Sequence, residues 1–316
     1  MNILITSIGK RVQLIKYLKQ YFNIIGVDAG ELTPAKSFVD KFYKIPKASE
    51  EDKYINSLLA ICKEEKVDVL VPLYEGEFKI LCEKRKCFGD LGTLLLLSSK
   101  QVLDICKDKY YTYEYFKKTD VKVPKVYAQE EIAGAELPVI IKPKDGMGSS
   151  NVFKANNIRE VQFFSQYVKN SIVQQYIEGE EYTVDALVDL SGNPVYIVPR
   201  KRLEVRAGEV VKSSTTRDVE IINETVKVIK HLNTAKDSVG LAAVGPLTIQ
   251  FFRDKNNEIY LLEINPRFGG GVPLSFKAGA DYGMAIMSIK DGKKLKYVDE
   301  FDEVTMLRYD EAIYIE

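Results

Sequence analysis

Short apolar runs and helix-like segments take turns over the first third of the chain. NILITS (2–7) is apolar, KRVQLIKYLKQYF (10–22) carries apolar residues at helical spacing, and NIIGVD (23–28) is apolar again. Strand, helix and strand in so short a span predict parallel pairing through a crossover helix. The alternation continues with a helix over 52–66, a strand at VDVLVP (67–72), a helix over 75–84 and a strand at LLLLS (94–98). Residues 1–97 are therefore expected to form one Rossmann-like α/β lobe with a parallel sheet.

From about residue 100 the pattern changes. A helical KDKYYTYEYFKKT (107–119) leads to VKVPKVY, then to ELPVIIKPKDGMGSSNVF, a helix over 158–169 and SIVQQYIEGEEYTVDALV. Beyond these, strand-like segments dominate as far as Asn265. Short strands around one helix, followed by an antiparallel run, predict two α+β lobes. The expected boundaries are 98–178 for the smaller lobe with its connecting helix and 179–316 for the larger. Neither an internal repeat nor a low-complexity linker interrupts the chain.

Composition narrows the function. At 316 residues and 46% hydrophobic the chain has material for two or three lobes. Its 45 basic and 45 acidic residues cancel, which argues against nucleic acid or an anionic membrane as partner. His231 is the only histidine, so neither a His-ligated zinc site nor a Ser–His pair has much material to work with. Cys62, Cys82, Cys87 and Cys106 lack CxxC spacing and are expected as reduced, buried thiols. With no apolar run of membrane-span length and no leader-like N-terminus, a soluble cytoplasmic protein is expected. Gly9 and Asp28 stand about as far apart as the turn and ribose-binding acid of a dinucleotide site. SIGKRVQL, however, has one glycine where that fingerprint needs three, so an ordinary turn is favoured.

Three segments carry candidate chemistry. LTIQFFR and EIYLLEIN are joined by DKNN, a hairpin pattern. If Arg253 pairs with Glu258, then Gln250 lies opposite Leu261. Alternation then puts Gln250, Leu261, Glu263 and Asn265 on one face, and Leu247, Ile249, Phe251, Tyr260, Leu262 and Ile264 in the core. The three oxygen-bearing side chains suit a hard cation such as Mg²⁺; a hydrogen-bonded strand terminus is an equal alternative from the hairpin alone. In LPVIIKPKDGMGSS, Lys142 ends an apolar strand and needs an anionic partner. The glycines that follow could wrap phosphate oxygens with their backbone, although no Walker A sequence is present. In VQQYIEGEEYTVD a turn between strands offers backbone groups at Tyr176 and Ile177, with Glu181 just beyond; a plain acidic loop explains it as well.

The order of these motifs is more specific than any one of them. Lys109 in DKYYTYEYF, Lys142 before GMGSS, QQYIEGEEYTVD, Gln250 and EINPR together resemble the successive motifs of the ATP-grasp superfamily, closest to its carbamoyl phosphate synthase-like members. The resemblance covers nearly the whole chain. It implies that Lys109 and Lys142 contact ATP phosphates under the loop of Gly146, Gly148, Ser149 and Ser150. It implies further that Gln174, Tyr176 and Ile177 hold adenine, that Glu181 takes the ribose, and that Gln250, Glu263 and Asn265 bind Mg²⁺, with two ions expected. Arg267 would then sit by the γ-phosphate. Many members carry a Glu at the start of the hinge motif, where this chain has Gln174 and Gln175; an amide carbonyl still accepts from the adenine amino group.

The activity so implied is a ligase that converts a carboxylate to an acyl phosphate and passes it to an amine. A homodimer is the assembly to expect. Arg200 and Arg202, in the basic stretch VPRKRLEVR and by alternation on one face with Glu204 and Arg206, are candidates for the acid. Arg11, Asp28 and Glu75 follow strands of the first lobe, where α/β ligands often bind. The alternatives are carbamoyl phosphate-type chemistry and a nucleotide-binding module without turnover.

Overall fold

The computed structural model describes residues 1–144, 151–206 and 208–315. Three sheets organise them. The first is parallel throughout and contains β1 (Asn2–Thr6), β2 (Asn23–Asp28), β3 (Lys41–Lys44), β4 (Val69–Val71) and β5 (Leu94–Leu95) in the order β3-β2-β1-β4-β5. Its helices are α1 (Val12–Leu18), α2 (Glu51–Glu64), α3 (Glu75–Glu83) and α4 (Arg85–Asp90). Ile3, Ile5 and Val69 pack on one face, Leu4, Ile25 and Leu70 on the other. Burial on both faces is why these strands read as unbroken apolar runs. The strand order reverses between β1 and β4, the position at which a doubly wound sheet opens a crevice. Arg11 and Glu75 lie just after those two strands.

α5 (Lys100–Cys106) and α6 (Lys109–Phe116) lead into the second sheet. Here β6 (Val126–Tyr127), β7 (Val139–Pro143), β8 (Phe153–Ala155) and β9 (Ser171–Gln175) are antiparallel in the order β6-β9-β7-β8, backed by α7 (Ile158–Tyr167). The third sheet is also antiparallel. It holds β10 (Gly179–Val188), β11 (Pro194–Arg206), β12 (Glu209–Thr215), β13 (Gly245–Asp254), β14 (Ile259–Asn265) and β15 (Thr305–Leu307), ordered β14-β13-β10-β11-β12-β15. α8 (Val219–Leu232) packs on this sheet, and α9 (Pro273–Lys277) and α10 (Tyr282–Lys290) face the first lobe.

The cores show how the lobes are joined. One face of the parallel sheet shares a continuous core with Val195, Val198, Phe268, Phe276 and Tyr282 of the large lobe. The small lobe has a separate core of Val139, Ile141, Ala155, Val161, Val168 and Val173. Among the described residues no helix is long and apolar enough to cross a membrane.

Several elements differ from the sequence reading. β3 and α4 were not expected, and α8 interrupts a region read as mainly strand. Its signals were an Asp218 cap, whose carboxylate accepts from Ile221 N, and apolar residues at helical spacing. All four cysteines are free, but only Cys62 is buried; Cys87 on α4 is exposed, and Cys82 and Cys106 are half-buried. Asp28 accepts hydrogen bonds from the backbone N–H groups of Gly9 (3.0 Å) and Gly30 (2.9 Å), a turn-closing role.

The hairpin register differs too. Phe251 pairs with Leu261 and Gln250 with Glu263, so Leu262 is an extra residue and forms a bulge. Arg253 faces Ile259, not Glu258. Leu261 is consequently core and Leu262 lines the cleft, the reverse of the expectation. Shifted pairing in β11 after Arg202 likewise ends the expected alternation: Arg200 and Arg202 face the cleft, while Glu204 and Arg206 are exposed.

Candidate active site

A cleft of about 460 Å³ lies where the three lobes meet. Its floor is the bulged hairpin. The bulge sets Gln250 directly across from Glu263, so the Gln250 Nε2 donates to Glu263 Oε1 at 2.8 Å. Asn265, two residues on and on the same side, donates its Nδ2 to that oxygen at 3.1 Å. Lys109 Nζ stands 3.4 Å from Glu263 Oε2. Lys109 is delivered by the first turn of α6, whose start is capped by Asp108 accepting from Tyr110 N and Tyr111 N, both at 2.9 Å. The Lys109 N–H also donates to Lys144 O at 3.1 Å, which ties the helix to the end of β7.

Charge tuning follows from this crowding. Burial pushes the Glu263 carboxyl up, but Lys109, the Asn265 amide and Lys142 outweigh it and hold the group below its ordinary value. Burial, helped by Lys109, depresses Lys142 from 10.5 to about 8, while Glu263 pulls the other way. On β10 of the same sheet, burial, with a smaller push from Glu263, raises the Glu181 carboxyl against the influence of Arg202. Arg202 Nη1 lies 3.0 Å from Glu181 Oε1, and its Nη2 donates to Gly208 O at 3.1 Å. Between β9 and β10, Tyr176 and Ile177 line the cleft, and Lys154 sits 3.9 Å over the Tyr176 ring. Gln174 is buried beneath them and donates Nε2 to Pro124 O at 3.3 Å. Gly146, Gly148, Ser149 and Ser150 lie outside the described residues.

The other half of the cleft is rich in arginine. Arg267 spans the lobes: its Nε and Nη2 donate to Glu75 Oε1 at 2.9 and 2.7 Å. Arg200, 2% exposed, makes a paired contact with Asp185 through Nε (2.7 Å) and Nη2 (3.1 Å). Ser275 Oγ donates to the same carboxylate at 2.6 Å. Arg308 Nη1 is 3.5 Å from Glu209. Sequence reasoning missed Asp185, Ser275, Glu209 and Arg308. Asp185 had a signal, a carboxylate on the inward face of the alternating YTVDALV, whereas Glu209 and Arg308 reach the cleft only through the pairing of β12 with β15.

Two antiparallel α+β lobes closing on a cleft of lysines and oxygen donors, behind a parallel-sheet lobe, define the class of this molecule. The sequence profile of the ATP-grasp domain matches residues 106–271, and that of the PylC-like N-terminal domain matches residues 3–96. The chain belongs to the ATP-grasp family. It is 29% identical to tyramine–L-glutamate ligase of Methanocaldococcus fervens over 224 residues, 69% of this chain and 65% of that one. To the carbamoyl phosphate synthase large chain of Helicobacter pylori it is 25% identical over 293 residues, 84% of this chain but 26% of that one. The chain thus spans just under two thirds of the first relative and about a quarter of the second. In structure it resembles N5-carboxyaminoimidazole synthetase from Staphylococcus aureus complexed with ADP, with a TM-score of 0.75 and 19% identity over 98% of this chain and 82% of that one.

Proposed function

We propose that the protein is an ATP- and Mg²⁺-dependent ligase that activates a carboxylate as an acyl phosphate and joins it to an amine. The observation that carries this reading is the convergence of Gln250, Asn265 and Lys109 on the single carboxylate of Glu263, with Lys142 beside it. Family membership supports it, as does similarity to an enzyme named for joining tyramine to glutamate.

The donor set fits a hard cation: a carboxylate kept ionised and two amides whose carbonyl oxygens are free to turn inward. Glu263, Gln250 and Asn265 would hold Mg²⁺, which when bound would offset phosphate charge. Lys109 and Lys142 would contact the phosphates as point charges. The backbone at Tyr176 and Ile177 would meet the adenine edge, with the Gln174 carbonyl as acceptor and Glu181 at the ribose. Gly146, Gly148, Ser149 and Ser150 remain candidates to cover the phosphates. Arg267, steadied by Glu75, would stabilise the charge that moves to the transferred phosphoryl group. Phosphoryl transfer needs positioning and charge more than a protein acid, so a chain with one histidine is adequate. Free thiols and dependence on ATP suit a cytoplasmic setting.

The test combines binding and turnover. MgADP at about 100 times its Kd should add roughly 2.7 kcal/mol of apparent stability, and MgATP with pooled carboxylic acids and amines should release ADP. Glu263→Ala should fold with an unchanged circular dichroism spectrum yet lose Mg²⁺-dependent ADP release. Near wild-type turnover in that variant would remove the metal assignment.

A further inference from the structure

Among the described residues, the arginine-rich half of the cleft contains more cations than carboxylates. Arg267 is matched by Glu75 and Arg200 by Asp185, while Glu209 is shared by Lys10 at 2.6 Å and Arg308 at 3.5 Å. Arg11 is different. Its guanidinium lines the same cleft, yet among the described residues it has neither an ion pair nor a side-chain hydrogen bond. Its neighbours in charge are Arg267 and Arg308, and burial, followed by those two cations, lowers its pKa to about 10 despite Glu209. At neutral pH it is still charged, so it cannot escape the cost of burial by losing its proton.

The side chain carries this guanidinium to the glycine turn of the large lobe. Arg11 follows β1, at the reversal of strand order, and reaches across to the turn after β14. A Cβ added at Gly270 would stand 3.2 Å from Arg11 Nη1. A Cβ added at Gly271 would stand 2.5 Å from Nη1 of Arg200, a fully buried atom without a hydrogen-bond partner. Two guanidinium groups with unused donors therefore approach one glycine turn from opposite lobes. The charges that act most on Arg11 are Arg267, Glu209 and Arg308, whereas those that act most on Lys142 are Lys109 and Glu263. Arg11 thus sits among the arginines beside Arg267 and not in the Lys109–Lys142–Glu263 cluster.

We infer that the acid substrate carries a second carboxylate, one that does not react, and that Arg11 binds it against the Gly270–Gly271 turn. This rests on the ligase reading, in which Arg267 stands by the transferred phosphoryl group and so by the carboxyl that receives it. Since Arg11 neighbours Arg267, one molecule can reach both. The substrate class is a dicarboxylate, such as an acidic amino acid, and not a simple monocarboxylic acid. Arg11 acts in specificity: it holds the far end of the acid and takes no part in phosphoryl transfer.

The experiment compares matched acids in MgATP-dependent ADP release with pooled amines. One set is L-glutamate, L-aspartate, 2-aminoadipate and glutarate; the other is 4-aminobutyrate, β-alanine, butyrate and L-alanine, each with one carboxylate. Dicarboxylates alone should support ADP release. Arg11→Met should raise their KM roughly 10- to 100-fold, the loss of a charge-assisted contact, with a much smaller change in kcat. Arg11→Lys should recover part of that loss. Equal turnover of monocarboxylates, an unchanged KM in Arg11→Met, or no acid in either set supporting release while MgADP still binds would overturn the inference. Failure of MgADP to bind would instead sink the ligase reading on which it rests.

Discussion

At the scale of single residues, the molecule tolerates groups that are unfavourable until a ligand arrives. Lys142 is the sharpest case, since burial beside Lys109 disfavours its charged form. A lysine whose pKa falls from 10.5 to about 8 on folding costs stability below pH 8, and the cost disappears as pH rises towards 10.5. Lys142→Met should therefore melt higher than wild type at pH 7 without ligand. The advantage should fade over that pH window, and the stabilisation by MgADP should be lost. A lower Tm for the variant at pH 7 would show that the lysine is already compensated. Arg267 tests a different function, because its partner is a carboxylate of another lobe and not the Glu263 cluster. Arg267→Ala should cut kcat by about 100- to 1,000-fold, as loss of a transition-state donor does, while the Kd for MgADP stays near wild type. An equal loss in binding would make Arg267 a ground-state contact.

At the scale of elements, one inserted residue decides whether the candidate metal site forms. Without the bulge, the pairing of Phe251 with Leu261 would continue as Gln250 with Leu262 and Ile249 with Glu263, and Glu263 would turn to the face opposite Gln250. With the bulge, Gln250 and Glu263 are cross-strand partners, and a hydrogen bond joins them. The turn into β10 is equally constrained. Gly179 pairs with Asp254, and a Cβ there would come within 1.9 Å of the Arg253 carbonyl oxygen. Since that obstacle is backbone, it cannot rotate away. Gly179→Ala should cost roughly 1–3 kcal/mol in a urea melt, the usual range for overpacking, and should weaken nucleotide binding by displacing Tyr176 and Ile177. An unchanged midpoint would mean that the strand start frays at no cost.

At the scale of the whole molecule, the lobes are joined unequally. The parallel-sheet lobe and the large lobe share one core, reinforced where Tyr17 stacks on Phe276 at 3.9 Å between ring centroids. The small lobe relies on its own few buried residues. Local opening should follow the smaller core. Hydrogen exchange should be fastest in β6 to β9 and α7, and MgADP should slow it there more than elsewhere, because the proposed nucleotide contacts bridge β7 and β9 to β13 and β14. Uniform protection across the three lobes would contradict this unequal partition.

Much of the molecule could be read from its residues alone. Apolar runs indicated the parallel sheet because strands covered on both faces need no polar alternation. The ordered series from Lys109 to EINPR indicated the family because each motif supplies backbone or charge that a nucleotide site needs. The sequence did not show the Leu262 bulge, whose extra residue leaves no mark in an apolar pattern, nor the helix α8 inside a strand-rich region. The partners of the arginines depended on the tertiary structure. Glu75 meets Arg267 across 192 positions of sequence, and Glu209 meets Arg308 across 99. Local pattern encodes which face a side chain takes. Only the docking of the lobes decides which charges meet, and that docking leaves Arg11 beside the glycine turn without a carboxylate partner among the described residues.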